Sequence, residues 1–572
     1  MLRTSHEVDK IKLVSNDEIK VMIDDKLVYE HRRRALNPDN PFIRGTAQNP
    51  DVYFQGRETV NRFYDATPGI VQEAMHRFAI LTGREYDLFD YFGDAEAERI
   101  IILMGSGAEA VEETVDYLSR QGEAVGLLKV RLYRPFDPAA LLAALPPTVK
   151  TIAVLDRTKE PGADGEPLYK DVLTAIAQDQ AGDQPRFERM PRIVGGRYGL
   201  SSKEFTPGMI KAVFAELDQP RPKNHFTIGI HDDLSQSSLD WDPDFRTDAH
   251  EGCFQAVFFG LGSDGTVSAN KNSIKIISEN TDWCAQGYFV YDSKKAGAVT
   301  VSHLRFGPKP IRSTYLIGEG DANFVACHQP VFLQRYEMLE KAADEAVFLL
   351  NSPEPPDQVW DTLTGRMQQQ ILDKRIRFYT IDAHAVAAGT GMGSRINTIM
   401  QACFFAISGV LPKDDAIAAI KDAVEKTYGR KGRRMVEINF KAIDETLACL
   451  HRVEIPGAAS SSTRLPPPVP ASAPEFITRV TGEIMAGRGD QIPVSLFPDN
   501  GSFPLGTAAY DKRQLALEIP VLETVLCTRC GKCPLVCPHS AIRSKIFPEE
   551  LLADKPATFK SAPMRDKKFP QG

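Results

Sequence analysis

Twice in this chain an unbroken apolar run turns on glycines straight into a helical pattern, and this constrains the fold more than anything else in its 572 residues. The first instance, ERIIILMGSGAEAVEETVDYL, begins at Glu98 and the second, QAVFFGLGSDGTVSANKNSIKII, begins at Gln255. A strand apolar at every position is buried on both faces, and parallel neighbours need a crossover, usually a helix, between them. After the first instance, EAVGLLKVRLYRPFD and VKTIAVLDRT add two buried strands with PAALLAAL as the helix between them. After the second, GYFVYDSKKAGAVTVSHLRFG, STYLIGEGDANFVACH, AVFLLNS and RIRFYTIDAHAVAAGTG continue as evenly spaced strands. The expected class is α/β and multi-domain, with two successive α/β regions, the first of them on a parallel sheet.

The two glycine turns differ in chemistry. At Gly105-Ser106-Gly107 the third glycine of a dinucleotide fingerprint is absent, and Glu109 stands at the helix start, where it would repel a phosphate. That turn is read as structural. Gly262-Ser263-Asp264-Gly265-Thr266 has two glycines and two hydroxyls, so its backbone N–H groups could approach a phosphate, with Asn270 and Lys271 following on the helix. Residue chemistry leaves two readings open there, a phosphate or nucleotide loop and a plain turn.

Near the C-terminus Cys527, Cys530, Cys533 and Cys537, followed by Pro538, spell C-x₂-C-x₂-C-x₃-C-P. This spacing brings three thiolates to one [4Fe–4S] cube, and in two-cluster ferredoxins the cysteine before proline serves a second cube. A structural zinc site usually draws paired C-x-x-C units from two separated places, and no second pair follows here. The chain is therefore expected to move electrons singly, with the remaining cluster ligands supplied from elsewhere. The other cysteines, Cys253, Cys284, Cys327, Cys403 and Cys449, stand singly among apolar neighbours and read as reduced core thiols, Cys327 beside His328 included.

A net charge of −8 argues against nucleic acid as a partner. The absence of an eighteen-residue apolar run argues against a membrane span, and the N-terminus lacks the order of a secretory signal, so the expectation is a cytoplasmic protein. PGAASSSTRLPPPVPASAP, from Pro456, has nothing to bury and reads as an extended connector.

Long segments resemble one family. RGTAQNPDVYFQGRE (44–58), ILMGSGAEAVEETV, VRLYRPFD, GLGSDGTVSANKNSIKII, YFVYDSKKAGAVTVSHLRFG, GTGMGSRINTIMQ, SFPLGTAAYDKR and the cysteine run with PHSAIR are similar to the middle of the single-chain pyruvate:ferredoxin (flavodoxin) oxidoreductases. The resemblance implies oxidation of pyruvate with coenzyme A to acetyl-CoA and CO₂. It also implies electron transfer through [4Fe–4S] clusters to ferredoxin or flavodoxin, in an enzyme that is usually a homodimer. Thiamine diphosphate and Mg²⁺ are implied for the complete enzyme only.

By the same resemblance residues 1–97 are the end of a thiamine-binding domain, and 98–253 a transketolase C-terminal-like domain. Residues 254–465 are then a gamma-type domain that binds coenzyme A, 466–515 a small linking domain, and 516–572 a partial ferredoxin domain. The implied coenzyme A contacts are Gly262, Ser263, Asp264, Gly265, Thr266, Lys294, Asn397 and Asn439, with Lys295 an equal candidate beside Lys294. A lysine and carboxamides suit the phosphates and adenine edge of that cofactor. Most of the family's N-terminal pyrimidine-binding domain and all of its C-terminal thiamine-gripping domain have no counterpart here, so the chain alone is expected to be inactive. The alternative is a free-standing electron-transfer or coenzyme A-binding subunit. Substrate choice among 2-oxoacids stays open, as does the choice of ferredoxin or flavodoxin.

Overall fold

Two sheets organise the chain, and apolar runs form the middle of each. The computed structural model describes residues 5–8, 11–41, 43, 45–262, 264–291, 298–393, 395–429, 432–511, 521–538, 540–564 and 568. They fall into two compact units, Met1–Lys512 and Arg513–Gly572.

The N-terminal stretch carries strand β1 (Ser5–Val8) and helices α1 (Asn16–Met22), α2 (Asp25–Arg33), α3 (Pro50–Glu58) and α4 (Asn61–Thr82). It has no core of its own: α1, α2 and α3 bury no residue and α4 buries Pro68, while Leu13, Val21, Leu27, Phe54 and Ile80 are exposed.

The first sheet follows, with β2 (Phe89–Gly93), β3 (Arg99–Leu103), α5 (Gly107–Arg120), β4 (Val125–Val130), α6 (Pro138–Ala144), β5 (Thr151–Asp156), α7 (Pro167–Gln180), β6 (Arg192–Arg197), α8 (Pro207–Leu217) and β7 (Phe226–Thr227). Its order is β2-β4-β3-β5-β6-β7. β3 through β7 pair in parallel as expected, and β2 closes one edge antiparallel to β4. Ile100, Ile101 and Ile102 are fully buried, each burial being worth about 1.5–3 kcal/mol.

The second sheet runs through β8 (Phe254–Leu261), α9 (Thr266–Asn280), β9 (Cys284–Tyr291), β10 (Val299–Gly307), β11 (Ala322–Cys327), β12 (Ala342–Asn351), α10 (Gly365–Asp373) and β13 (Arg377–Ile381). α11 (Ala383–Thr390), α12 (Asn397–Ser408), α13 (Lys413–Tyr428), α14 (Arg433–Cys449) and β14 (His451–Arg452) complete it. The order is β1-β9-β10-β8-β11-β12-β13-β14. Only β8, β11, β12 and β13 are parallel; β10 is antiparallel to both β8 and β9, and β1 and β14 are antiparallel edges. The second sheet is thus mixed, where the first is parallel but for one edge. Seven residues, 292–298, separate β9 from β10, too few for a crossover of a dozen or more, so the pair is antiparallel. β1 also joins this sheet rather than a unit of its own.

The Pro- and Ser-rich segment that the sequence reads as an extended connector is tied down near its start. Gln368, fully buried on α10, accepts the Ser460 and Ser461 N–H groups at 2.8 Å each, and Gly365 N–H donates to Thr463 O. Beyond it lies the short α15 (Gly482–Met485), and Ser495 then bonds Asp233 of the first sheet's domain. No helix among the described residues is long and apolar enough to cross a membrane. The second unit is irregular, with one short helix, α16 (Lys532–Val536), among its described residues.

Candidate functional site

In open sheets with a parallel core, ligands sit beyond the carboxyl ends of the strands. At the carboxyl end of β8 the chain turns through Gly262 and Asp264 into α9, with Gly265 left-handed at φ +90° just before the first helical residue. An L-residue would be strained there, which accounts for glycine. Asp264 folds back on its own loop, one carboxylate oxygen accepting Leu261 N–H at 2.8 Å and the other Thr266 N–H at 2.7 Å. Gly262 N–H donates to Ala298 O, and Asp264 N–H to Leu261 O.

The donors expected to be available to a phosphate are thus partnered within the protein at positions 261, 262, 264 and 266. The Thr266 hydroxyl is also turned inward, 2.8 Å from His328 Nδ1. Beside the described part of the loop stands the Asn397 side chain. A Cβ on Gly265 would lie 3.2 Å from Asn397 Cβ and Cγ, so the first residue of α12 is packed directly on the loop.

Asn439 is one contact further away. It is buried, donates Nδ2 to Met435 O on its own helix and accepts from Thr398, the neighbour of Asn397. Of the sequence candidates, Gly262, Asp264, Gly265, Thr266 and Asn397 are brought together. Ser263, Lys294 and Lys295 lie outside the described residues.

The sequence places Cys327, beside His328, in the core. Cys327 is core: burial pushes its thiol up to about 12, so it stays protonated. His328 is buried too, but bonded to the loop, and its Nε2 has no partner among the described residues. Burial lowers its pKa to about 4, against the opposing pull of Asp264, so the ring is neutral. The sequence signal that marks it is a polar residue immediately after the β11 strand.

A cavity of about 400 Å³ lies elsewhere on this sheet, at β13 and β14, lined by Glu354, Asp382, Glu445, Cys449 and His451 among prolines and aliphatic groups. Its three carboxylates disfavour a polyanionic ligand. The Gly105–Gly107 turn is structural, as expected: Glu109 is paired with Lys129 at 2.8 Å, and Tyr198 packs where a Cβ on Gly107 would sit.

In the second unit Arg529 and Gly531 both adopt left-handed backbone, at φ +59° and +70°, turning the chain tightly between Cys527, Cys530 and Cys533. Arg529 N–H points at Cys527 Sγ over 3.4 Å. The Lys532 N–H, with help from the Thr528 hydroxyl, holds the exposed Cys530 thiol below its ordinary pKa. Thiols receiving backbone N–H groups suit iron–sulfur ligation in kind. Their convergence is a separate matter: among the described residues no three His, Cys, Asp or Glu side chains are gathered to hold a metal ion.

Comparison with known proteins matches four stretches. Residues 255–449 fit the family model "Pyruvate ferredoxin/flavodoxin oxidoreductase" and 97–199 "Pyruvate:ferredoxin oxidoreductase core domain II". Residues 1–76 fit "Pyruvate flavodoxin/ferredoxin oxidoreductase, thiamine diP-bdg" and 462–516 a domain of unknown function. A putative pyruvate-flavodoxin oxidoreductase of Synechocystis sp. is 56% identical over 565 residues, covering 99% of this chain and 46% of the relative. The pyruvate:ferredoxin oxidoreductase of Moorella thermoacetica is 50% identical over 557 residues, covering 97% and 47%. The chain thus spans about half the length of the curated relatives it matches. Among solved structures, a pyruvate oxidoreductase subunit of Thermotoga maritima aligns over 36% of this chain and all of its own, at 15% identity and a TM-score of 0.28.

Proposed function

Since the chain belongs to the pyruvate ferredoxin/flavodoxin oxidoreductase family, we propose that it works as part of an enzyme that converts pyruvate and coenzyme A to acetyl-CoA and CO₂. Two electrons and one proton are released per turnover, and the electrons leave singly for a ferredoxin or flavodoxin. Thiamine diphosphate, when bound, supplies the stabilised carbanion that this decarboxylation needs. Residues 1–76 contribute to the domain that holds it.

The observation that carries this reading is identity of 50–56% over nearly the whole chain. In this reading the Gly262–Thr266 loop and Asn397 receive coenzyme A, with Ser263 and Lys294 completing the contact, while the buried Asn439 braces Thr398 beside Asn397 from behind. The Asp264 carboxylate already occupies two loop amides, so the loop offers shape more than amide donors, and the phosphates fall to cationic side chains such as Lys294. Cys527, Cys530 and Cys533 hold one [4Fe–4S] cube, and Cys537 serves another.

Two measurements test the reading on the 572-residue chain. Calorimetric titration with coenzyme A is expected to give saturable binding; no heat at millimolar ligand overturns the loop assignment. Anaerobic reconstitution is expected to load iron and acid-labile sulfide, and a Cys530→Ser variant to load less. Equal loading by the two proteins overturns the cluster assignment.

A further inference from the structure

The carboxyl ends of β8, β11 and β12 and the start of α11 are joined by a run of buried polar contacts. The Thr266 side chain lies over Gly260, where a Cβ would sit 2.5 Å from its Oγ1. That oxygen is 2.8 Å from His328 Nδ1. Asn351 Nδ2 donates to His328 O at 2.9 Å, and Asn351 Oδ1 accepts Ala383 N–H at 3.0 Å. Thr266, His328, Asn351 and Ala383 are each no more than 2% exposed.

An imidazole in such a place costs free energy, because one ring nitrogen, Nε2, has no partner among the described residues. The surroundings would suit an apolar side chain, the Phe258 ring lying edge-on with its centroid 6.2 Å away. What an apolar residue could not do is hold the Thr266 hydroxyl. Thr266 is the first residue of α9 and its N–H is held by Asp264, so the glycine loop is pinned from within by Asp264 and from beneath by His328.

We infer that His328 is the positioning residue of the Gly262–Thr266 loop: through Thr266 it sets the loop and the first turn of α9 before the ligand arrives. The inference rests on the reading that this loop receives coenzyme A. It gives His328 no contact with the ligand. His328 acts through Nδ1 alone, and its contribution appears in binding rather than in stability.

The test uses the whole chain, calorimetric titration with coenzyme A, thermal unfolding, and amide hydrogen exchange of residues 260–270 without ligand. Thr266→Val and His328→Leu are each expected to weaken coenzyme A binding about tenfold, the effect of losing one hydrogen bond that fixes the site. Both should also speed exchange in the loop. The Thr266→Val/His328→Leu double variant should be no weaker than either single variant and keep a Tm close to the parent's, because matched apolar partners replace a polar pair at little cost. His328→Asn, whose amide takes the Nδ1 position, should restore binding and protection, whereas His328→Gln, whose amide takes the Nε2 position, should not.

Folded His328→Leu with parental affinity and exchange overturns the inference, and so does rescue by Gln in place of Asn. If the parent chain binds no coenzyme A while His328→Leu still loosens the loop, the coenzyme A reading fails and the positioning role stands. If the parent binds and the loop's exchange is unchanged in every variant, the reading stands and the positioning role fails.

Discussion

The Tyr315 hydroxyl donates to Glu113 Oε1 over 2.6 Å and so joins α5 of the first sheet to the segment between β10 and β11 of the second. Ser313 donates to the other oxygen at 2.6 Å, and Thr247 adds a third hydroxyl at 2.8 Å. Ser313 has its proton on Glu113, so it accepts from His250 Nε2–H at 2.7 Å. A buried carboxylate with three hydroxyl donors is satisfied, and each bond to it contributes about 1.5–3 kcal/mol. Glu113→Gln keeps one acceptor oxygen and turns donors toward donors. It is expected to lower unfolding stability by about 3 kcal/mol, read from the urea midpoint at unchanged slope. A midpoint equal to the parent's would show that this junction does not hold the two sheets together.

Lys129, on β4 and 4% exposed, contacts the Glu109 and Glu112 carboxylates, and Arg312 from the second sheet reaches Glu112 as well. Removing one member of a buried ion cluster leaves the others desolvated and uncompensated. Lys129→Met should therefore cost about 3–5 kcal/mol. Replacing Glu112 with Leu in the same protein should recover part of that loss, a positive coupling that a double-mutant cycle measures. Strict additivity would mean that the two side chains act independently.

Two buried histidines, His303 and His328, and the half-buried His250 make stability depend on pH near neutrality. His303 Nδ1 accepts Ile317 N–H and so carries no proton; burial, with Lys341 and Arg305 nearby, keeps its pKa well below the ordinary value. Burial, with Arg305 and Arg246, lowers His250 to about 3, and burial lowers His328 to about 4. An unfolded histidine takes a proton near pH 6.5, so as pH falls below that value the unfolded chain binds more protons than the folded one. The stabilisation is present above pH 6.5 and is lost toward pH 4, at about 1.4 kcal/mol per pH unit for each histidine once below the unfolded pKa. Urea midpoints at pH 7.5, 6 and 5 should fall steeply over the last interval, and less so in His250→Phe. A flat profile would contradict neutral burial.

Two glycines should respond in opposite directions. Gly265 combines φ +90° with Asn397 packed at 3.2 Å, so Gly265→Ala is expected to cost about 1–2 kcal/mol or more and to weaken coenzyme A binding. Gly389, exposed inside α11 with nothing within 4 Å of where an added methyl would sit and no positive φ, should gain about 0.5–1 kcal/mol as alanine. Thermal unfolding of both variants beside the parent checks the pair.

The order and type of the main elements are legible in the sequence because the signal is local. Residues 100–103 and 125–130 are apolar almost without interruption, and their glycine or proline punctuation sits next to them in the chain. The cysteine spacing is equally local, and so are the motifs that carry the family resemblance. The antiparallel β9–β10 pair is also within reach, since a seven-residue connection excludes a crossover.

Other features depend on residues that only folding brings together. β1 finds its partner in β9, some 280 positions later in the chain. Thr266 meets His328 across 62 positions, and Glu113 meets Tyr315 across 202. Whether Asp264 faces a ligand or its own loop is decided by where its carboxylate can reach two amides, a matter of ångströms that composition does not encode. The sequence by itself determined the elements, the cysteine spacing and the family, because each is written in neighbouring residues. The tertiary structure decided the strand pairing, the inward capping of the glycine loop and the buried partners of its polar side chains, because hydrogen bonds in a desolvated core are selected by geometry across the fold.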